Sequence, residues 1–269
     1  MKNRRQLEPE LSLKLSLLED RLQGYSRPCI AFSGGADSSL LAWIAAQAGE
    51  MLAVTVVGPM VPADELADAC DFTKKYHIDH KLIKVDVLSI PGFAENGPER
   101  CYYCKRKIFS TIADAARAGG CDAIMDGSNT DDLSDYRPGM KALKELKAVS
   151  PFLEAGISKR DIYTLSEYYG LPTWNKPAMA CLASRIPTGT PISLQSLKKA
   201  EAGETILKQA GLKQYRLRLT EPEATIELSP GDLAVFDSVR ESVFSRLDQA
   251  GIDVSRDVRE YRKGSMNRS

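Results

Sequence analysis

The sequence predicts an α/β protein, a doubly wound parallel sheet followed by a small C-terminal α+β domain. Three observations carry this. Between residues 28 and 170, short apolar runs alternate with helical patterns, the order expected of βα units. The runs are rich in β-branched residues and nearly all-apolar, as strands covered on both faces are. The loops that follow these strands collect glycine, cysteine and Asp/Asn, and the carboxyl ends of parallel strands are where such folds bind ligands.

The elements follow in order. Leu11–Leu22 is an amphipathic lead-in helix with Leu15, Leu18 and Leu22 on one stripe. Cys29–Phe32 is the first strand and Asp37–Ala48 its helix. Met51–Val57 pairs with a helix over Pro62–Tyr76, and His80–Val87 with a helix over Tyr103–Ala118. Cys121–Gly127 runs into an Asp/Asn-rich loop at Asn129–Tyr136, and Ala148–Phe152 forms a short fifth strand before a helix over Lys159–Tyr169. After Leu171 the pattern breaks: "PTWNKPAMACLASRIPTGTPIS" carries four prolines and marks a junction. A helix over Leu194–Ala210, strands Tyr215–Thr220 and Ala224–Leu228, and a helix over Leu233–Ala250 complete the chain. The expected domains are an N-terminal helix (1–24), the nucleotide-type domain (25–172), an active-site linker (173–190) and the small domain (191–269). No internal repeat is visible.

Lysine plus arginine and aspartate plus glutamate both number 36, so no overall basic field favours nucleic acid or an anionic membrane. No apolar run approaches the roughly 18–20 residues of a membrane span. The opening Met1-Lys-Asn-Arg-Arg leads into no apolar signal core, so a cytoplasmic location is expected. Six cysteines in such a chain do not form a disulfide framework. Cys29, Cys70 and Cys121 lie in apolar patterns and are expected as buried thiols. Cys101, Cys104 and Cys181 lie in polar loops, where packing does not account for them.

Three stretches carry chemistry. In "AFSGGADSS", Ala31 and Phe32 end a buried strand, Ser33-Gly34-Gly35 turns tightly, and Asp37, Ser38 and Ser39 open a helix. A glycine turn at a helix N-terminus presents N–H groups to an anion such as phosphate. The stretch is neither GxxxxGK[ST] nor GxGxxG, which disfavours a Walker clamp and a dinucleotide fold. Its plain alternative is a tight turn with Asp37 capping the helix. In "GPERCYYCKRK", Cys101 and Cys104 have Arg100, Lys105, Arg106 and Lys107 around them, and positive neighbours favour the thiolate. A lone CxxC reads as half a zinc site, a redox pair or part of an iron–sulfur site. The two histidines, His77 and His80, sit at a helix-to-strand junction and are expected at the surface, which leaves Cys181 as the natural third thiolate. Three thiolates leave one iron of a [4Fe–4S] cluster open; metal-free thiol or persulfide chemistry is the alternative. In "QYRLRLTEPEATIEL", Arg216 and Arg218 share one strand face, a pair of forks suited to phosphate or a solvated strand face. Asp126–Arg137 offers carboxylates to Mg²⁺, hydrogen bonds to a ribose, or only a solvated loop.

Ser33–Ser39 resembles the SGGxDS PP-loop of the ATP pyrophosphatases, an adenine nucleotide alpha hydrolase-like (HUP-like) fold. Those enzymes split ATP between its α and β phosphates and attach AMP to a substrate oxygen. "DGSNTDDLSDYRPGMKA" (126–142), "YGLPTWNKPAMACLASRIPTGTPIS" (169–193) and "YRKGSMN" (261–267) narrow the resemblance to the LarE family. It runs from about Arg21 to Asn267.

The resemblance implies an ATP-dependent sulfurtransferase that adenylates a carboxylate of pyridinium biscarboxylic acid mononucleotide and converts it to a thiocarboxylate of the nickel-pincer nucleotide cofactor. It implies ATP contacts at Ala31, Ser33, Gly34, Gly35, Asp37, Ser38, Ser39 and Gly127, with Asp37 helping to bind Mg²⁺. It implies catalytic roles for Asp37, Cys181 and Arg185, and a phosphate site of Arg216, Arg218 and Glu227. Single-cysteine members spend the sulfur of a residue in the stretch matching Ala180–Cys181. Others hold a [4Fe–4S] cluster, which Cys101, Cys104 and Cys181 match. Relatives form homo-oligomers, so one is expected here. Many have His, Asn or Asp after the second arginine, where this chain has Thr220-Glu221-Pro222-Glu223, and acids facing the site would oppose an anionic substrate. A transfer-RNA thiolase would add a basic face and zinc-binding cysteines. An amide-forming ligase of the NAD synthetase kind would have no use for three loop cysteines. A nucleotide-binding module without catalysis would release no pyrophosphate.

Overall fold

The computed structural model describes residues 7–134, 138–177 and 180–261. Parts of three expected motifs therefore lie outside the described residues: Asp135–Arg137 of the Asp/Asn loop, Ala178–Met179 before Cys181, and the tail beyond Tyr261. The chain divides into two compact units. The first is Met1–Gly58, Ala63–Val85 and Cys101–Met179; the second is Pro59–Pro62, Asp86–Arg100 and Ala180–Ser269.

The first unit is the α/β unit that the alternating pattern predicts. Its helices are α1 (Pro9–Gln23), α2 (Ala36–Ala48), α3 (Ala63–Lys75), α4 (Arg100–Ala118, whose first residue belongs to the second unit), α5 (Pro138–Glu145), α6 (Pro151–Glu154) and α7 (Lys159–Tyr168). Its strands are β1 (Pro28–Ala31), β2 (Leu52–Val57), β3 (Asp79–Lys84) and β4 (Ala123–Met125), all parallel, in the order β3-β2-β1-β4. The chain builds outward from β1 to β2 and β3, then crosses back to place β4 on the other side of β1. Such a reversal opens a crevice at the strands' carboxyl ends, between the loops after β1 and β4.

Packing follows the leucine stripe. Leu11, Leu15, Leu18 and Leu22 of α1 are buried with Leu40, Leu41 and Ile44 of α2 and Ile162 and Leu165 of α7 in one apolar core. Ser158 caps α7 by accepting the Asp161 N–H at 3.2 Å, while Asp161 accepts the Ser158 N–H at 3.0 Å.

Several expectations change. β3 is an edge strand, and all six of its residues are exposed or half-buried, with Leu82 at 47 %. Its lysines suit an unpaired edge better than a buried strand. Ala148–Phe152 does not form a fifth strand; Val149 makes one parallel bridge to Met125. Pro151 then opens α6, where its missing N–H costs nothing. Helix α5 was not anticipated. His80 is half-buried rather than freely exposed: Thr55 and Thr73 hydroxyls lie 2.7 and 2.9 Å from its two ring nitrogens, and Phe32 meets it edge-on. Burial lowers its pKa. His77 is exposed, in the left-handed region at φ 54°. Of the three cysteines expected as buried thiols, Cys29 is fully buried, whereas Cys70 and Cys121 are half-buried.

The second unit contains α8 (Leu194–Gln209), β5 (Tyr215–Arg218), β6 (Thr225–Leu228), α9 (Pro230–Gln249) and β7 (Arg259–Glu260). β5 and β6 pair antiparallel, and β7, which the sequence reading missed, runs parallel to β6. Its core is Leu197, Ala200, Leu207, Leu217, Ile226, Leu228, Phe236, Val243, Phe244 and Leu247. Among the described residues, no helix is long and apolar enough to cross a membrane.

Burial, and then the neighbouring Cys121, push the Cys29 thiol up to about 12. Folding thus holds Cys29 protonated where the unfolded thiol ionises, and this contribution, complete below the ordinary thiol pKa of about 8.5, is lost as pH rises from there toward about 12. Cys29→Ala should show a shallower fall of Tm between pH 9 and 11 than the parent chain, relative to each protein's Tm at pH 7. Parallel curves would contradict the assignment.

Candidate functional site

The site in the first unit is built at the carboxyl edge of β1 and β4. Pairing places Ile30 of β1 opposite Met125 of β4, so the Ser33–Ser38 turn and the Asp126–Asn129 segment leave the sheet side by side. Gly34 adopts φ +72°, and a Cβ there would come within 2.8 Å of the Ala69 Cβ on α3. Gly35 then caps α2 in extended conformation. The Ser38 hydroxyl lies 3.1 Å from the Ser33 hydroxyl, and the Ser33 N–H donates to it at 3.2 Å. The turn is thus closed by its own serines, and the first turn of α2 can offer N–H groups to an anion. Gly127 is tight but less so: a Cβ there would lie 3.1 Å from the Asp37 Cβ and 3.2 Å from the Ser38 nitrogen. These residues the structure brings together. Ser39 it does not, since that side chain is fully buried with its hydroxyl inside the protein.

Two lysines that sequence reasoning missed complete the electrostatics. Lys159, the first residue of α7, reaches both carboxylate oxygens of Asp37 at 2.6 and 2.7 Å, and its own N–H donates to Asp131. Both side chains of the Lys159–Asp37 pair are about one-third exposed, so the pair borders solvent. Lys176 donates to the Gly34 carbonyl at 3.2 Å and pairs with Asp68 and Glu65 of α3 at 2.8 and 3.0 Å. Burial raises the Glu65 pKa, and the Lys176 charge opposes that rise. The capping sequence before Lys159 was the signal available: Ser158 with Asp161 fixes a helix start, and a lysine at that start can point along the sheet's edge.

Asp126, at the end of β4, is 5 % exposed and accepts from Ser128 and Ser150 at 2.5 and 2.6 Å. Lys105 of α4 approaches it at 3.9 Å. Cys101 and Cys104 lie near the start of this same helix, three residues apart and so on one face. Cys101 is exposed and Cys104 half-buried.

The second unit holds the other predicted residues. Cys181 is exposed and precedes a 3₁₀ turn over Leu182–Arg185. Arg185 has no exposed surface. It pairs bidentately with Glu204 at 2.7 and 2.6 Å and donates to the carbonyls of Ala180 and Cys181 at 2.7 and 3.2 Å. Its placement makes it a brace for the backbone at Cys181. Arg218 pairs with Glu227 at 2.8 Å and donates to the Ser184 carbonyl at 2.8 Å. Arg216, opposite Glu227 in the strand register, is also buried, and Tyr261 lies over its guanidinium at 5.2 Å. Burial, then the Arg185 charge, lower the Arg216 pKa. This is no solvated strand face. Glu221 and Glu223 lie exposed in the turn between β5 and β6.

Among the described residues, no group of three or more His, Cys, Asp or Glu side chains is arranged to hold a metal ion. Cys101 and Cys104 belong to the first unit and Cys181 to the second. The pair on α4 can share a soft metal along one helix face.

A parallel sheet with its order reversed beside a glycine turn defines an α/β protein of the doubly wound class, with a small sheet unit appended. No model of a known protein family matches the chain. An uncharacterised protein of Synechocystis is 36% identical over 263 residues, 96% of this chain and 98% of its own. The pyridinium-3,5-bisthiocarboxylic acid mononucleotide synthase of Lactiplantibacillus plantarum is 32% identical over 264 residues, 96% of this chain and 95% of its own. An uncharacterised protein of Methanocaldococcus jannaschii is 32% identical over 222 residues, covering 82% and 85%. The chain belongs to the LarE family, that of the Lactiplantibacillus synthase.

Replacing Gly34 by alanine should cost about 2 kcal/mol or more, since it adds the left-handed backbone penalty to the overlap with Ala69. In urea denaturation, adding Ala69→Gly should recover the overlap and leave the backbone cost. Strictly additive effects of the two substitutions would show that the turn does not press on α3.

Proposed function

We propose that this chain is an ATP-dependent sulfurtransferase that activates a carboxylate of pyridinium biscarboxylic acid mononucleotide and converts it to a thiocarboxylate of the nickel-pincer nucleotide cofactor. Membership of the synthase's family supports the substrate. The observation that carries the chemistry is the Gly34–Gly35 turn at the sheet's reversal point, closed by its own serines and bordered by Lys159.

In this reading the first turn of α2 receives the phosphates of ATP. Lys159 exchanges its carboxylate partner for phosphate oxygens, which carry more charge and accept as readily. Its departure leaves the Asp37 carboxylate to the Mg²⁺ that accompanies the nucleotide; with Lys159 across both oxygens, ammonium and metal are alternatives at that residue. A substrate carboxylate oxygen bonds to the α-phosphorus as the bond to pyrophosphate breaks, leaving an acyl-adenylate. Sulfur then bonds to the acyl carbon as the bond to AMP breaks. Dipoles fixed beforehand at the turn stabilise the departing pyrophosphate. In this reading Cys181, exposed on a braced backbone, either helps to hold the sulfur source or supplies the sulfur itself. In the second case its thiolate forms a thioester as AMP leaves, and loss of the Cα proton with cleavage of the Cβ–Sγ bond then releases the thiocarboxylate and leaves dehydroalanine. Arg216, Arg218 and Glu227 form the proposed site for the substrate's phosphate, with Arg218 also bracing Ser184. A [4Fe–4S] cluster on Cys101, Cys104 and Cys181 would supply the sulfur as sulfide; no step above depends on it. A homo-oligomer and a cytoplasmic location belong to the same proposal.

The test is release of AMP and pyrophosphate from ATP when pyridinium biscarboxylic acid mononucleotide is added, with transfer RNA as the comparison. Stoichiometric release with the mononucleotide alone is expected, and it should be lost in Asp37→Asn. Release stimulated by RNA alone would assign the chain to the thiolases, and nucleotide binding without release would make it a binding module. Anaerobically purified protein should carry iron and acid-labile sulfide that Cys101→Ala and Cys104→Ala remove; iron retained by both variants would remove these residues from the ligand set.

A further inference from the structure

We propose that Asn96, which the sequence reading gave no role, and Arg100, read there only as a positive neighbour of Cys101 and Cys104, are positioning residues that set the backbone presenting Cys181. Both belong to the second unit, as does the segment they hold. Asn96 is fully buried and sits in the left-handed region at φ 55°. Asparagine tolerates that conformation better than most residues, and its amide brings two donors. The side-chain Nδ2 donates to the carbonyls of Pro187 and Thr190 at 2.7 Å each. The Asn96 carbonyl accepts the Gly189 N–H at 2.9 Å, and the neighbouring Ala94 carbonyl accepts the Ile192 N–H at 2.7 Å. The 180–192 loop, with little regular structure of its own, is therefore tied to the segment before α4 by several hydrogen bonds.

Arg100 extends the latch to the thiol. Its Nη1 donates to the Asn96 Oδ1 at 2.5 Å and to the Ala183 carbonyl at 3.0 Å. Ala183 lies two residues beyond Cys181 and inside the 3₁₀ turn that Cys181 opens. The opposite side of that turn is held by Arg185, by Arg218 on the Ser184 carbonyl, and by the Leu182 N–H donating to Met60 at 3.0 Å. Cys181 thus has an exposed side chain on a backbone fixed from several directions. This arrangement suits a thiol whose direction of approach matters, because small errors in placing a reacting atom cost large factors in rate. A thiol exposed by chance has no use for it.

This inference rests on the sulfur-transfer reading, and the experiment separates the two. Arg100→Gln loses the charged fork while keeping a polar side chain. Hydrogen exchange at the amides of residues 182–190 should speed up, with the amides of α7 unchanged as an internal control. Thiocarboxylate formation at saturating ATP and mononucleotide should fall about tenfold while the KM for ATP moves less than twofold, and Arg100→Lys should recover part of the rate. Asn96→Asp, which turns the donor toward Pro187 and Thr190 into an acceptor, should give the same pattern and serves if Arg100→Gln does not fold. Unchanged exchange, or faster exchange with an unchanged rate, overturns the positioning role. If the parent chain forms no thiocarboxylate, the functional reading falls, while the exchange comparison still decides whether the latch holds the Cys181 segment.

Discussion

The first unit depends on a steric constraint: at the carboxyl ends of β1 and β4 the backbone must pass where no side chain fits. Gly34 turns against Ala69 with positive φ, and Gly127 lies against Asp37 and Ser38. With both glycines in place, the β1 turn, the start of α2 and the loop after β4 converge at one point. The parallel register fixes their height along the sheet. A Cβ at Gly34 would press the turn against α3, and one at Gly127 would crowd the start of α2. The site follows from backbone sterics first and from polar chemistry second.

Charge is then arranged around that turn. Lys159 neutralises Asp37 in a solvent-bordered pair, and Lys176 ties the Gly34 carbonyl to two carboxylates of α3. A half-buried ion pair that borders solvent contributes less than a fully buried one, so a change of partner costs Lys159 less than it would the buried arginines. The second unit differs. Arg185 with Glu204 and Arg218 with Glu227 are buried, and removing one member would strand its partner's charge. Those pairs fix backbone, whereas the pair at the glycine turn borders solvent.

Much of the fold was legible. The strand-and-helix alternation located β1 to β4 and their helices because each buries apolar residues at its own period. It misjudged β3, where "HKLIKVDV" has enough aliphatic residues to pass for a buried strand although its lysines mark an edge. It missed β7 and α5, which are short and carry little periodic signal. The glycine turn and the cysteine positions were visible as residue types out of place in a packed core. What sequence could not supply was partnership. Nothing in the spacing says that Arg185 turns inward onto Glu204, that Lys159 finds Asp37 122 residues away, or that Asn96 holds a loop some 90 residues further on. Ser39 shows the converse: a motif position whose neighbours face the turn while it faces the core.

The most direct measurement is a crystal structure of the full chain with Mg²⁺ and a non-hydrolysable α,β-methylene analogue of ATP. Phosphate density is expected on the first N–H groups of α2, with the Lys159 ammonium moved from Asp37 onto the phosphates. An analogue bound elsewhere, with the Lys159–Asp37 pair intact beside an empty turn, would contradict it.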